Sequence, residues 1–297
     1  MSASTLTKSS SEPGRDRGPN LRPARAPGLR ADAADGGRGG RALRALTAGA
    51  AMAALVAGCS NSTAPPVANN GESLPLLATH ALTISEPSDL AIDDTGTMLW
   101  TVTNNPEKLY QLDLDGQVVK TLSYVGNNLE GVAYDRRDRT LWLAEENLRE
   151  VVHVDLNGAV LGRYPLALTG EQNSGLEGIC LNDSGTVFVL NEKHPGLFIR
   201  LKPDLSIDSM LELTFAKDYS GMTYDIHRKS FWIVSDQSEQ LYRWTTSGVQ
   251  EQYVLPFPKP EGVAEDPLRQ RIYVVSDSTN ALYVFDSSHA GASAHAQ

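Results

Sequence analysis

The sequence predicts an all-β fold: a five-bladed β-propeller of four-stranded antiparallel blades, closed by an N-terminal strand joining the last blade. Three observations predict it. One short phrase recurs five times at intervals of 42, 47, 43 and 41 residues, an aromatic-rich strand follows each copy, and the last repeat stops one strand short. A period near forty with four short strands per unit is the signature of propeller blades.

The chain of 297 residues changes character near residue 75. Residues 1–58 hold nine of the 26 basic and four of the 36 acidic side chains, and they are rich in Ala, Gly, Arg, Pro and Ser without helical or strand periodicity. Such a segment buries too little apolar surface to offset chain entropy, so it stands outside the fold. Arg38, Arg41 and Arg44 precede an apolar run at 45–57, which is too short to span a bilayer but suits the core of a signal peptide. The run ends in Leu55-Val56-Ala57-Gly58-Cys59. Small residues before a cysteine resemble the lipobox of bacterial lipoproteins, which implies cleavage before Cys59 and diacylglyceryl attachment to its sulfur. The alternative is an ordinary signal peptide that happens to contain a cysteine. Residues 59–73 are polar, include Pro65 and Pro66, and read as a lipidated tether. The expected partner of this part is therefore a membrane, with the domain facing the periplasm or the exterior.

Within the predicted propeller domain, 74–288, the phrase begins at Ser88-Asp89, Glu130-Gly131, Glu177-Gly178, Ser220-Gly221 and Glu261-Gly262. A turn cluster follows each, then a strand containing Trp100, Trp142, Phe188, Trp232 or Tyr273. Those rings are expected to pack between neighbouring blades. Asp and Asn in the intervening turns, from Asp93 to Asp225, serve turn geometry. Third strands are expected at 109–113, 151–155, 197–201, 241–244 and 282–286, and the hairpin signals Asp115-Gly116 and Asn157-Gly158 lead into a fourth. The fifth repeat lacks that fourth strand, and the β-prone segment 76–84 is expected to supply it, leaving no open seam in the ring. Residues 289–297 read as a disordered tail.

After removal of residues 1–58 the chain carries a formal charge of −15. A surface so acidic repels phosphates and attracts cations, which excludes nucleic acid as a partner. The two cysteines imply no disulfide framework, since Cys180 sits in an apolar run and reads as a buried thiol. The domain is expected to be a monomer engaging a small-molecule or protein ligand.

Two sets of polar residues recur at fixed positions. Ser88, Glu130, Glu177, Ser220 and Glu261 open the innermost strands, with Asp89 beside the first; Asn104, Glu146, Glu192, Asp236 and Asp277 close the strands that follow. Antiparallel pairing brings the start of one strand to the end of the next, so both sets share one mouth of the propeller. Three carboxylates within about 6 Å repel by a few kcal/mol per pair at an effective dielectric near 20. Ca²⁺ held by Glu130, Glu177 and Glu261 would relieve this, because it takes six to eight hard oxygen ligands in loose geometry. No His or Cys recurs there, which disfavours zinc and copper. The alternative is a water-filled mouth with one or two glutamates protonated. Nucleophile elbows, phosphate loops and paired-histidine motifs are absent from the sequence. His194, close behind Glu192, is the one histidine placed near the mouth.

The phrases Leu129-Glu130-Gly131-Val132-Ala133-Tyr134, Leu141-Trp142-Leu143-Ala144-Glu145-Glu146, Gly175-Leu176-Glu177-Gly178-Ile179 and Leu190-Asn191-Glu192 resemble the SdiA-regulated, YjiK-like family of bacterial envelope proteins over about 76–288. The resemblance implies a β-propeller and leaves the activity open. Ser88-Asp89 and Ser220-Gly221 depart from its Glu-Gly pattern. A more distant likeness to calcium-dependent lactonase and phytase propellers rests on acidic axial residues alone. Two functions follow: a tethered module that holds Ca²⁺ and binds a partner or small ligand, or a Ca²⁺-dependent hydrolase of lactones or phosphate esters with Glu192 or Glu146 as base.

Overall fold

A computed structural model describes residues 71–169, 174–288 and 290. The signal segment, Cys59 and most of the tether lie outside the described residues, as does the tail apart from Ala290. The described chain is all β, with five four-stranded antiparallel sheets and no helix among the described residues.

The first blade is β2 (Pro87–Ile92), β3 (Leu99–Asn104), β4 (Glu107–Leu112) and β5 (Val118–Thr121). The second is β6 (Leu129–Asp135), β7 (Thr140–Glu145), β8 (Glu150–Val154) and β9 (Val160–Pro165). The third is β10 (Leu176–Leu181), β11 (Val187–Asn191), β12 (Leu197–Leu201) and β13 (Ile207–Glu212), and the fourth β14 (Gly221–Asp225), β15 (Ser230–Ser235), β16 (Gln240–Thr245) and β17 (Gly248–Val254). The fifth joins β18 (Pro260–Asp266), β19 (Arg271–Ser276) and β20 (Ala281–Asp286) to β1 (Leu76–Ala81), in the order β1-β20-β19-β18. β1 runs antiparallel to β20 with Leu76 opposite Phe285 and Ala81 opposite Ala281. The closure expected from the short last repeat is thus the closure observed.

Each interface between blades has its own apolar core, and each is centred on one of the recurring rings. Trp100 packs with Leu129, Val132 and Leu141 of the second blade; Trp142 packs with Leu176, Ile179 and Val189 of the third. Phe188 meets Met222, Phe231 and Trp244, while Trp232 meets Val263, Ile272 and Phe285. Tyr273 completes the circle against Leu90, Leu99 and Leu112. Period-two alternation explains the arrangement, because a ring in the second strand points at the neighbouring blade while the next residue packs on the other face. Ala290 also packs into the core between the fourth and fifth blades.

Turn chemistry is that of the residues present. Asp93 accepts hydrogen bonds from the amides of Thr97 and Met98, Asp135 from that of Arg137, Asn182 from those of Ser184 and Thr186, and Asp225 from those of His227 and Arg228. Gly116 and Gly158 take positive φ, 80° and 88°, as their hairpin turns demand. These acids serve the backbone and sit at the opposite end of each blade from the polar sets described next.

Candidate functional site: an acidic axial mouth

The residue at the opening of each innermost strand and the residue at the close of each second strand meet at one end of the ring. There they line a cavity of about 350 Å³. Ser88, Glu130, Glu177, Ser220 and Glu261 from the first set and Asn104, Glu192, Asp236 and Asp277 from the second all face it. Its carboxylates are Glu86, Glu130, Glu177, Glu192, Glu261, Asp236 and Asp277, against the two ammonium groups of Lys193 and Lys259. Its lining gathers side chains from all five blades.

Burial and hydrogen bonding sort these acids. Glu130 is 8% exposed, accepts a bond from Asn104 Nδ2 at 3.1 Å and is further supported by the Ser88 hydroxyl. Desolvation outweighs that help and pushes its carboxyl up to about 7, with Glu146 and Glu107 adding repulsion. Glu146 is buried behind the wall, where it accepts bonds from the Asn128 side chain and from the Gly175 amide at 3.0 Å, so it ties the second blade to the third. Glu192 pairs with Lys193, and Asp277 pairs with Lys259 at 2.7 Å. Glu177 and Glu261 have neither a hydrogen-bond partner nor an ion pair among the described residues. Burial first, then the neighbouring acids, raise both well above the ordinary glutamate range.

The tightest acidic group differs from the trio expected on symmetry. Carboxylate oxygens of Glu146, Glu177 and Glu192 lie within 4.8 Å of one another, whereas Glu130 and Glu261 flank Glu177 across the same cavity. Symmetry suggested equivalent positions from three blades. The close group instead spans one blade interface, because the end of β7 reaches across to the opening of β10. Asp89 is a second departure. It was expected at the mouth, yet it is fully buried and accepts the amide N–H groups of Leu90 at 2.8 Å and Val132 at 2.9 Å. One step along a strand turns a side chain by half a turn, so the neighbour of a mouth residue points inward instead. His194 is exposed and does not line the cavity.

Sequence reasoning missed Lys193 and Lys259, although each lies one or two positions from a residue already singled out. It also missed Asp218, a buried acid that accepts bonds from the Ser235 hydroxyl and the Gln237 amide and adds repulsion at Glu192 and Asp236. A rule based on recurrence finds what every blade repeats, and these three belong to single blades.

A family model described as SdiA-regulated matches residues 78–286, which is most of the chain and all but the first turns of the propeller. The chain belongs to the SdiA-regulated family. The chain is also similar, at low identity, to solved structures. Glutaminyl cyclase from Myxococcus xanthus is 15% identical with a TM-score of 0.56, covering 72% of this chain and 97% of that one. A chain of the nidogen/laminin complex is 14% identical with a TM-score of 0.49, covering 69% of this chain and 77% of that one. Virginiamycin B lyase from Staphylococcus aureus is 18% identical with a TM-score of 0.43, covering 69% and 72%. The likeness to the glutaminyl cyclase concerns the fold alone and carries no activity across.

Proposed function

We propose that this SdiA-regulated propeller is a lipid-anchored envelope module whose acidic mouth holds Ca²⁺ and presents it to a small ligand or protein partner. The observation that carries the reading is Glu177, a carboxylate with no protein donor, whose oxygen lies within 4.8 Å of those of Glu146 and Glu192. Oxygen ligands of one Ca²⁺, each about 2.3–2.6 Å from the ion, stand apart by a comparable span. The donor set is oxygen only, which suits a hard cation and not a soft one. Ca²⁺ would take Glu146, Glu177 and Glu192 on one side, with Glu130 and Glu261 facing it from the rim. Bound cation and protonated glutamate are the two ways to relieve the repulsion, and at neutral pH the cation has the advantage that it satisfies several acids together.

Calorimetric titration of the purified protein with CaCl₂ tests this. Expected is one saturable site that weakens at least tenfold in E177Q. Comparing E192Q with E261Q then decides which wall supplies the remaining ligands. No saturable heat in the unaltered protein would overturn the proposal.

A second reading rests on Glu130. A buried carboxyl poised near 7 beside a cation site is suited to proton transfer at neutral pH, which is the requirement for a Ca²⁺-dependent hydrolase of lactones or phosphate esters. Turnover of a lactone and phosphoester panel with Ca²⁺ present, lost on chelation and in E130Q, would favour the enzyme. Calcium binding without turnover favours the binding module.

A further inference from the structure

The innermost strands of four blades share an irregularity that the remaining blade lacks. Pairing to the second strand skips between Pro87 and Asp89, between Leu129 and Gly131, between Leu176 and Ile179, and between Pro260 and Val263. In the fourth blade the ladder from Gly221 to Asp225 runs against Val234 to Ser230 without interruption. A bulge leaves a backbone group outside the ladder and bends the strand. The Asp89 carboxylate accepts the N–H groups of Leu90 and Val132, and the amides of Ile179 and Val263 also act on it, so that four donors, one from each bulged strand, work against the burial that pushes this carboxyl well above the ordinary aspartate range. In every case the donor is the residue two positions after the one that opens the mouth, so the four N–H groups form a ring around the axis.

Only one side chain can enter that ring. The positions equivalent to Asp89 in the other blades are Gly131, Gly178, Gly221 and Gly262. A Cβ on Gly221 would stand 3.1 Å from Asp89 Oδ1, and one on Gly262 would stand 2.4 Å from the Asp89 backbone. A Cβ on Gly131 would strike the Glu177 carbonyl oxygen at 2.2 Å. The strands therefore approach closely enough to converge their amides, and the first blade alone contributes a carboxylate to meet them.

We propose that the propeller axis is a binding site for a small monoanion of the formate and acetate class, built from four bulge amides, and that this chain fills it with its own Asp89 carboxylate. Convergent backbone N–H groups are an anion seat whatever supplies the anion. Asp89 differs from glycine by one methylene and one carboxylate, which together have the size of acetate. The site is distinct from the cation seat, because its donors are amides and its charge is opposite.

Chemical rescue of D89G tests the assignment. The variant is expected to melt roughly 10 °C below the unaltered protein, since several buried N–H groups lose their acceptor. Sodium formate or acetate should restore much of that loss with saturable dependence, whereas sodium sulfate at matched ionic strength should not, and the unaltered protein should respond to none of them beyond the salt effect. D89N keeps the shape without the charge and fills the seat, so it should melt below the unaltered protein and remain insensitive to formate. If D89G does not fold alone, refolding yield with and without formate reports the same rescue. A D89G protein that melts normally, a D89G protein or refolding yield indifferent to formate and acetate, or a D89N protein as stable as the original would each overturn the proposal.

Discussion

Glu130 contributes to the pH behaviour of the molecule, because burial raises its carboxyl to about 7. Glu265, buried in the fifth blade, is raised in the same direction to about 8. A carboxyl raised on folding binds its proton more tightly in the native state, so its contribution is present at low pH and is lost as pH rises toward the raised value. For Glu130 the shift corresponds to up to about 3 kcal/mol. Melting temperature in metal-free buffer is therefore expected to fall between pH 5 and pH 8, and E130Q should flatten that slope; a slope unchanged in E130Q would remove Glu130 from the account. The composition of the mouth was legible in the sequence, since Ser88, Glu130, Glu177, Ser220 and Glu261 recur in register. Which acids meet was not legible, because Glu146 reaches the Gly175 amide across a blade boundary that recurrence does not encode. Asp89 was misplaced for a related reason: adjacent strand residues point in different directions, and a bulge at the same spot moves the count by one.

At the scale of strands and blades, the rings in the second strands hold neighbouring sheets together. Trp232 is fully buried against Val263, Ile272 and Phe285, and W232A is expected to cost about 3–5 kcal/mol, read by urea denaturation. A change at Leu268, which is 73% exposed in a turn, should cost less than about 0.5 kcal/mol under the same conditions. β1 carries a different kind of contribution, because it hydrogen-bonds the N-terminal end of the described chain to the last strand of the fifth blade. A chain beginning after Ala81 would uncover the whole length of β20, whose Leu282 and Phe285 are buried when β1 is in place. It is expected to unfold at lower temperature and to self-associate through that edge, which sedimentation would detect. The closing strand was readable from sequence because counting strands left the last repeat one short. The bulges were not, since of the two openings that begin with serine, Ser88-Asp89 sits at a bulge while Ser220-Gly221 begins a ladder with none.

For the whole molecule, the fold directs a strong field toward one end of the propeller. The mouth gathers acids from every blade, and only Lys193 and Lys259 oppose them. On the lipoprotein reading, a C59A chain expressed in a bacterial host should lose incorporation of labelled fatty acid and leave the membrane fraction, while the propeller keeps its melting temperature. Retention of label in C59A would place the lipid elsewhere. On the proposed Ca²⁺ reading, concentrated negative charge destabilises the cation-free domain and favours a state in which a cation is shared among Glu146, Glu177 and Glu192. The most direct measurement is the melting temperature of the metal-stripped protein at pH 7.5 across a Ca²⁺ titration at constant ionic strength. A saturable rise, absent in E177Q and not reproduced by Na⁺, is the predicted result. A melting temperature indifferent to Ca²⁺ would contradict the account.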